Sequence, residues 1–525
     1  MIVALGVMLA IPTFAQKKNK AAKEAAPVAG MDRLEQVVGL IDKEYVDVPN
    51  TNELSEKAVV TMLRELDPHS VYIPAKDVER ANEGLLGNFE GVGVSFQVLD
   101  DTISVVDVIS GGPSEKVGLM RGDKFLKING EVATGDSINN SWVPKRLRGK
   151  KGTKVDLEML RGKDTLRFTV VRDKVPIYSV DSYFMADDSI GYIRLTRFAR
   201  TSVSEVRKAI SDLEKQGMKA LMLDLRGNGG GYLDIACGLA NEFLSNRSLL
   251  VYTQGRNSPR QDFRANIFGS FRKGRLVVMI DENSASASEI VSGAIQDWDR
   301  GVVVGRRSFG KGLVQRMFEM HDGAQVRLTT ARYYTPSGRC IQRPYEKGAD
   351  AYRNEINDRY KHGELVSMDS IHFADSLKYT TLVKKRTVYG GGGIMPDVFV
   401  PMDTMRLSQF FIDMRSKGMI NDWCSRWADQ HRAEYKDVLF EQFVANADDL
   451  DLMAQLQAYA LEKGVVRDVG KEAQELERTK HSDEYLGMLL KSLVAKDLYG
   501  SEYYYRVMKD IDEGFKTALE TLRKK

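Results

Sequence analysis

The stretch from Asn283 to Gln315 reads NSASASEIVSGAIQDWDRGVVVGRRSFGKGLVQ, and the rest of the chain can be arranged around it. Stepping about 100° per residue from Ser286 places Ala287, Ile290, Val291, Ala294 and Trp298 on one face, which predicts a helix packed into a core. Ser286 falls at the edge of that face, with Gly293 and Asp297 on the same flank. Asn283 or Ser284 is suited to cap the first turn, which would leave Ser286 where unpaired backbone N–H groups point outward and can receive an oxyanion. Val302 to Val304 then reads as a strand, followed by a glycine turn and a second strand from about Gly312. If that strand begins at Lys311, Lys311, Leu313 and Gln315 share a face.

A lysine among Phe309, Gly310, Gly312 and Leu313 has little charge beside it. Desolvation lowers the pKa of such an amine toward neutrality, so it can accept a serine proton, and Gln315 can orient it. This is the logic of nucleophile, base and orienter with lysine as base. Spacing alone leaves Ser284, Ser286 and Ser288 open as nucleophile. The run from Gly305 to Lys311 also fits G-x-x-x-x-G-K. Gly312, however, stands where a phosphate loop needs Ser or Thr, and GLVQRMF has strand rather than helix character, so a nucleotide site is rejected.

Further landmarks lie on both sides. Leu66-Asp67-Pro68-His69-Ser70 closes an N-terminal helical pattern, and its prolines assign Asp67 and His69 to a turn and helix end. Ala220 to Leu225 is an apolar run of buried-strand character. It feeds the glycine loop Arg226-Gly227-Asn228-Gly229-Gly230-Gly231 and then a helix, Asp234 to Leu244, without the G-x-G-x-x-G spacing of a dinucleotide site. Strands and helices alternate from Ser189 to Val304, which predicts an α/β core with its site at strand ends.

SASASEI, then FGKGLVQ with Lys311 following Ser286 by 25 residues, resembles the carboxyl-terminal processing peptidases, or tail-specific proteases. The D-L-R-x-N-x-G-G loop, the L-D-P segment, QVRLTTARYYTPSGRCIQ (Gln325 to Gln342) and GGGIMPDV extend the match over most of residues 32 to 400. The resemblance implies a crotonase-like α/β serine peptidase core with an inserted, mainly β PDZ domain and helical N- and C-terminal regions. It selects Ser286 as nucleophile over Ser284 and Ser288, Lys311 as general base and Gln315 as its orienter. The backbone N–H groups of Gly230 and Ala287 become the oxyanion hole, where glycine lets the substrate carbonyl approach bare backbone. Gly229 stands where family members often have proline, which predicts a looser loop. Asp297, eleven helical residues from Ser286, would lie about 16 Å along the axis and out of reach.

Residues 78–174 resemble a PDZ domain, with GVGV at 91–94, GGPSEKVGLMRGDKFLKINGEV, a polar helix near Asn139 to Leu147 and RGKKGTKVDLEMLRG. Backbone N–H groups of Gly91, Val92, Gly93 and Val94 are suited to a terminal carboxylate, with Val143 and Leu147 lining a side-chain pocket while the peptide extends the sheet. The remaining organisation is read as a signal peptide or N-terminal anchor (1–15), a linker (16–30), an N-terminal helical region (31–77), a peptidase core (175–402) and a C-terminal helical region (403–525). Within the core, residues 343–387 read as an insertion or exposed arm.

Bulk properties narrow the function. The 525 residues, 43% apolar and 28% charged, suit several domains, and a net charge of +3 provides no basic field for nucleic acid. Three cysteines and six histidines lack metal-ligand spacing, so neither metal nor cofactor is expected. The segment MIVALGVMLAIPTFA ends in a small-x-small cleavage pattern and predicts export, to a bacterial periplasm or cell envelope. The reading is therefore an exported serine endopeptidase acting on polypeptides with free C-termini, a homo-oligomer served by a regulatory or adaptor protein. Against it stand a non-catalytic PDZ adaptor and an acyl-CoA enzyme of crotonase type. The intact Ser286, Lys311, Gln315 and Gly230 disfavour the first; the PDZ-like insertion and signal-like start disfavour the second.

Overall fold

The computed structural model describes residues 29–99, 101–135, 138–405, 407–467 and 473–524. The proposed signal segment 1–15 and most of the linker 16–30 lie outside them. The chain divides into two units, residues 1–62 and 63–525. The first contains the helix Ala29–Glu44 and most of Thr51–Leu66, with Leu34, Val37, Val38 and Leu54 exposed. No described helix is long and apolar enough to cross a membrane.

In the second unit a six-stranded sheet forms the centre, in the order Val180–Met185, Ile190–Leu195, Ala220–Asp224, Arg275–Ile280, Val302–Gly305, Val398–Phe399. Its first pair is antiparallel and the rest are parallel. Parallel strands covered on both faces read as continuous apolar runs, and all five residues of Ala220–Asp224 are buried. One face packs against the helices Ser202–Lys215, Leu233–Phe243 and Ala287–Asp297 through Leu221, Leu223, Val278, Ile290 and Val291. The other face, with Tyr192, Met222, Val277 and Met279, receives Phe515, Ala518 and Leu522 of the C-terminal helix Glu513–Arg523. Burying a side chain such as Phe or Leu is worth roughly 1.5–3 kcal/mol. The last helix is thus part of the core.

A second sheet holds the strand Leu313–Glu319, just after the lysine. Its long strand Gln325–Tyr334 pairs with Val71–Ile73, with Leu249–Gly255 and with Leu313–Glu319. The PDZ domain is a separate sheet of six strands with its own core around Ile103, Phe125, Val155 and Met159. Its neck is tied where Asn88–Gly91 pairs with Asp173–Pro176.

Two expectations change here. Residues 343–387 are no exposed arm: Arg343 and Arg359 are buried, and the Arg359 guanidinium donates to the carbonyls of Ser308 and Phe309. The Arg343 guanidinium stacks between Phe309 and Tyr352, so charges that suggest a solvated loop instead support the lysine loop from beneath. The polar helix near 139–147 contracts to Pro144–Leu147, because Asn139 Oδ1 accepts the amides of Ser141 and Trp142 and makes a turn instead. The C-terminal helical region forms its own core around Phe411, Trp423, Trp427 and Leu490 and meets the PDZ domain through Lys124–Asp429, 3.2 Å apart.

Candidate active site

Ser286 joins the strand Arg275–Ile280 to the helix Ala287–Asp297 and is that helix's N-cap, at φ 55° and ψ −110°. A non-glycine residue with this backbone costs on the order of 1–3 kcal/mol and persists only where its surroundings hold it. Here its N–H donates to Glu289 Oε2 at 2.7 Å, and its carbonyl accepts the Tyr333 hydroxyl at 3.1 Å. The cap expected from Asn283 or Ser284 is therefore supplied at Ser286, with Glu289 three residues on. The helix shows no single apolar face either: every residue from Ala287 to Asp297 is buried.

The three serines separate by environment. Ser284 and Ser288 are each 0% exposed, and their hydroxyls donate to the carbonyls of Leu225 and Asn228. Ser286 instead lines a cleft of about 310 Å³ together with Gly230, Ala287, Lys311, Gln315 and Tyr333.

Glu289 organises this cleft. The carboxylate is fully buried, and Oε2 accepts both the Ser286 amide (2.7 Å) and the Lys311 amide (2.9 Å). Oε1 accepts the Ser308 hydroxyl (2.6 Å) and the Gly310 amide (2.7 Å). One oxygen thus bridges the backbones of Ser286 and Lys311. Burial pushes the Glu289 carboxyl up from its ordinary value, and the four hydrogen bonds counter that shift. Sequence reading missed this residue, although S-x-x-E at 286–289 is the capping-box pattern.

Lys311 lies just before the strand Leu313–Glu319, whose register slips between Val314 and Gln315. Simple alternation from Lys311 is thereby broken, yet Lys311, Leu313 and Gln315 all line the cleft. Burial lowers the lysine pKa first, and Arg327 adds to the effect, while Glu289 and Asp67 oppose it. Among the described residues its ammonium makes no ion pair.

The expected oxyanion donors differ in state. Ala287 N–H, at the helix start, has no acceptor among the described residues. Gly230 N–H donates to Asn228 Oδ1 at 2.9 Å, so it is not free as expected; the asparagine closes an Asx turn over the loop. Gly230 has φ 100°, and a Cβ there would sit 2.9 Å from Ala287 N and 2.8 Å from Ala285 O, so only glycine fits. Arg226, in the same loop, pairs with buried Asp224 and with Asp512 from the C-terminal region, each at 2.7 Å. Burial pushes the Asp224 carboxyl up, but Arg226 and Arg194 outweigh it and hold the group below its usual range.

Asp297 is buried far along the helix and pairs with Arg339 at 2.7 Å, which makes it structural. Asp67 and His69 do more than terminate a helix. Asp67 accepts the Thr329 hydroxyl, and His69 Nε2 meets Tyr352 Oη at 2.9 Å. Burial and nearby Lys311 push His69 down to about 3, so it is neutral. In the PDZ domain, Val143 (0% exposed) and Leu147 (4%) belong to the domain's own core with Val92 and do not line an open pocket. Gly91 is paired in the neck strand opposite Asp173, Gly93 has φ 85° with its carbonyl accepting Ile109 N–H, and Val94 begins an edge strand. Among the described residues no group of three or more His, Cys, Asp or Glu side chains is placed to hold a metal ion.

A strained serine, a buried lysine and a glycine loop line one cleft, and comparison with known proteins gives the chain a family. Residues 189–348 match peptidase family S41 and residues 91–171 match the PDZ domain. Residues 410–500 match a family of unknown function (DUF8443). The chain is 37% identical over 306 residues to the carboxy-terminal-processing protease of Bartonella bacilliformis, covering 57% of this chain and 69% of that one. It is 33% identical over 314 residues to the carboxy-terminal processing protease CtpA of Bacillus subtilis, covering 59% and 66%. Among solved structures it is similar to the photosystem II D1 C-terminal processing protease, at 24% identity and TM-score 0.37, over 72% of this chain and 95% of that one. The chain belongs to peptidase family S41, among the carboxy-terminal processing serine proteases.

Proposed function

We propose that this protein is a serine endopeptidase that cleaves polypeptides through an acyl-enzyme on Ser286. The carboxylate bridge of Glu289 carries the reading, because it ties the serine and the lysine into one cleft. Ser286 Oγ attacks the scissile carbonyl while Lys311 Nζ, whose pKa burial lowers, takes the hydroxyl proton. The oxyanion is received by Ala287 N–H and by Gly230 N–H once the latter leaves Asn228. Lys311 returns the proton to the departing amine. A water molecule then repeats the sequence on the ester, giving its proton to Lys311, and restores Ser286. Gln315 orients the amine.

The PDZ domain presents polypeptide C-termini to this cleft, with Gly91 to Val94 receiving the terminal carboxylate. The N-terminal apolar segment directs the protein out of the cytoplasm, to a periplasm or cell envelope, where it works as a homo-oligomer with a regulatory partner. Digestion of denatured casein tests the catalytic reading. Ser286→Ala should lower the rate on the order of 10⁴-fold or more, with urea unfolding unchanged. A Ser286→Ala protein that digests casein like the wild type would remove the serine from the mechanism.

A further inference from the structure

The segment Asp67 to Ser70 directly follows the helix Thr51–Leu66 and meets Thr329 of the strand Gln325–Tyr334. Asp67 is buried, and its Oδ1 accepts the amides of His69 at 2.8 Å and Ser70 at 2.9 Å. Amide N–H groups can only donate, so this oxygen is an acceptor. It also lies 3.1 Å from Thr329 Oγ1, which fixes the Thr329 hydrogen on Asp67. The second oxygen, Oδ2, accepts the Ser70 hydroxyl at 2.6 Å, and Ser70 Oγ in turn accepts Thr329 N–H at 3.1 Å. Thr329 is thus held at both its backbone and its hydroxyl.

Across the antiparallel ladder, Thr329 is the register partner of Gln315. With its hydrogen committed, Thr329 Oγ1 can only accept from Gln315, whose Nε2 lies 3.2 Å away. The two ends of a glutamine amide are chemically opposite: Nε2 donates and Oε1 accepts. Hydrogen-bond chemistry settles which end is which. Nε2 faces Thr329, which leaves Oε1 as the end available to the cleft shared with Lys311. An acceptor there is suited to take an N–H of the lysine, which leaves the nitrogen lone pair for Ser286. The opposite orientation would direct that lone pair at Gln315.

We propose that Asp67 and Thr329 are positioning residues, which act through the Gln315 amide to aim the lone pair of Lys311. The proposal rests on the Ser286–Lys311 reading given above. It assigns the Leu66-Asp67-Pro68-His69-Ser70 segment, a turn by sequence, to the catalytic apparatus.

The test uses Thr329→Val and Thr329→Ser in the full-length chain, each in wild-type and Gln315→Ala backgrounds. Two readouts are taken: casein kinetics, and the pH dependence of Lys311 carbamylation by cyanate followed by mass spectrometry. Thr329→Val keeps the shape and removes the hydroxyl. It should lower kcat about 10-fold with KM unchanged, and shift the carbamylation profile to lower pH because the acceptor that favours the ammonium is lost. Thr329→Ser should behave as wild type, and Thr329→Val should add nothing in the Gln315→Ala background. Additive losses, or a Thr329→Val protein with both readouts unchanged, would overturn the proposal. A Ser286→Ala control that still cleaves would sink the serine–lysine reading instead, while the carbamylation profiles still judge the relay.

Discussion

A lysine can act as a base near neutral pH only if its surroundings disfavour the ammonium form, and at Lys311 the first cause is burial. The sign follows directly. As pH falls through the lowered pKa, the amine takes up a proton and can no longer accept one from Ser286. Activity is therefore lost toward acid and gained toward base. The acid limb of kcat/KM should lie below the ordinary lysine value of about 10.4. A pH series on a small ester substrate checks this, and a limb at the unperturbed value would mean that Lys311 is solvated. Glu289 contributes differently: its bond to the Ser286 amide helps hold serine in a conformation it otherwise avoids, while its other three bonds fix Ser308, Gly310 and Lys311.

At the scale of elements, the site is a strand–serine–helix junction facing a glycine loop. Gly230→Ala would place a methyl group 2.9 Å from Ala287 N, at a φ of 100° that alanine resists. Activity should fall at least about 100-fold, the range seen when one oxyanion donor is lost. Circular dichroism should show the secondary structure retained, and near-wild-type cleavage by Gly230→Ala would remove the loop from the oxyanion site. The elements around this junction were largely legible in the sequence. Residues 220–223 and 276–280 are apolar throughout because both sheet faces are covered. What stayed hidden depends on long-range pairing of polar groups. Arg343 and Arg359 look solvated in sequence, yet their guanidiniums sit beneath the lysine loop on carbonyls and aromatic rings. Asp67 looks like a helix terminator, because nothing local reveals that Thr329 arrives from another sheet strand. Val143 and Leu147 have pocket spacing, but core packing of the small PDZ sheet claims them.

For the whole molecule, the C-terminal region reaches both ends of the apparatus. Asp429 meets the PDZ domain at Lys124, Asp512 holds Arg226 of the glycine loop, and the last helix closes the central sheet. Phe515→Ala should destabilise the fold by about 3–5 kcal/mol, measured as a lower urea midpoint, while activity per folded molecule changes little. An unchanged midpoint would mean that the helix is not part of the core. The central claim is that chemistry runs through a covalent bond to Ser286, and it can be read directly. Acid quenching during turnover of an activated ester, then peptide mass spectrometry, should find one acyl adduct on Ser286, absent in Ser286→Ala. No adduct on the wild-type enzyme while it turns over, or an adduct on Ser284 or Ser288, would contradict the account.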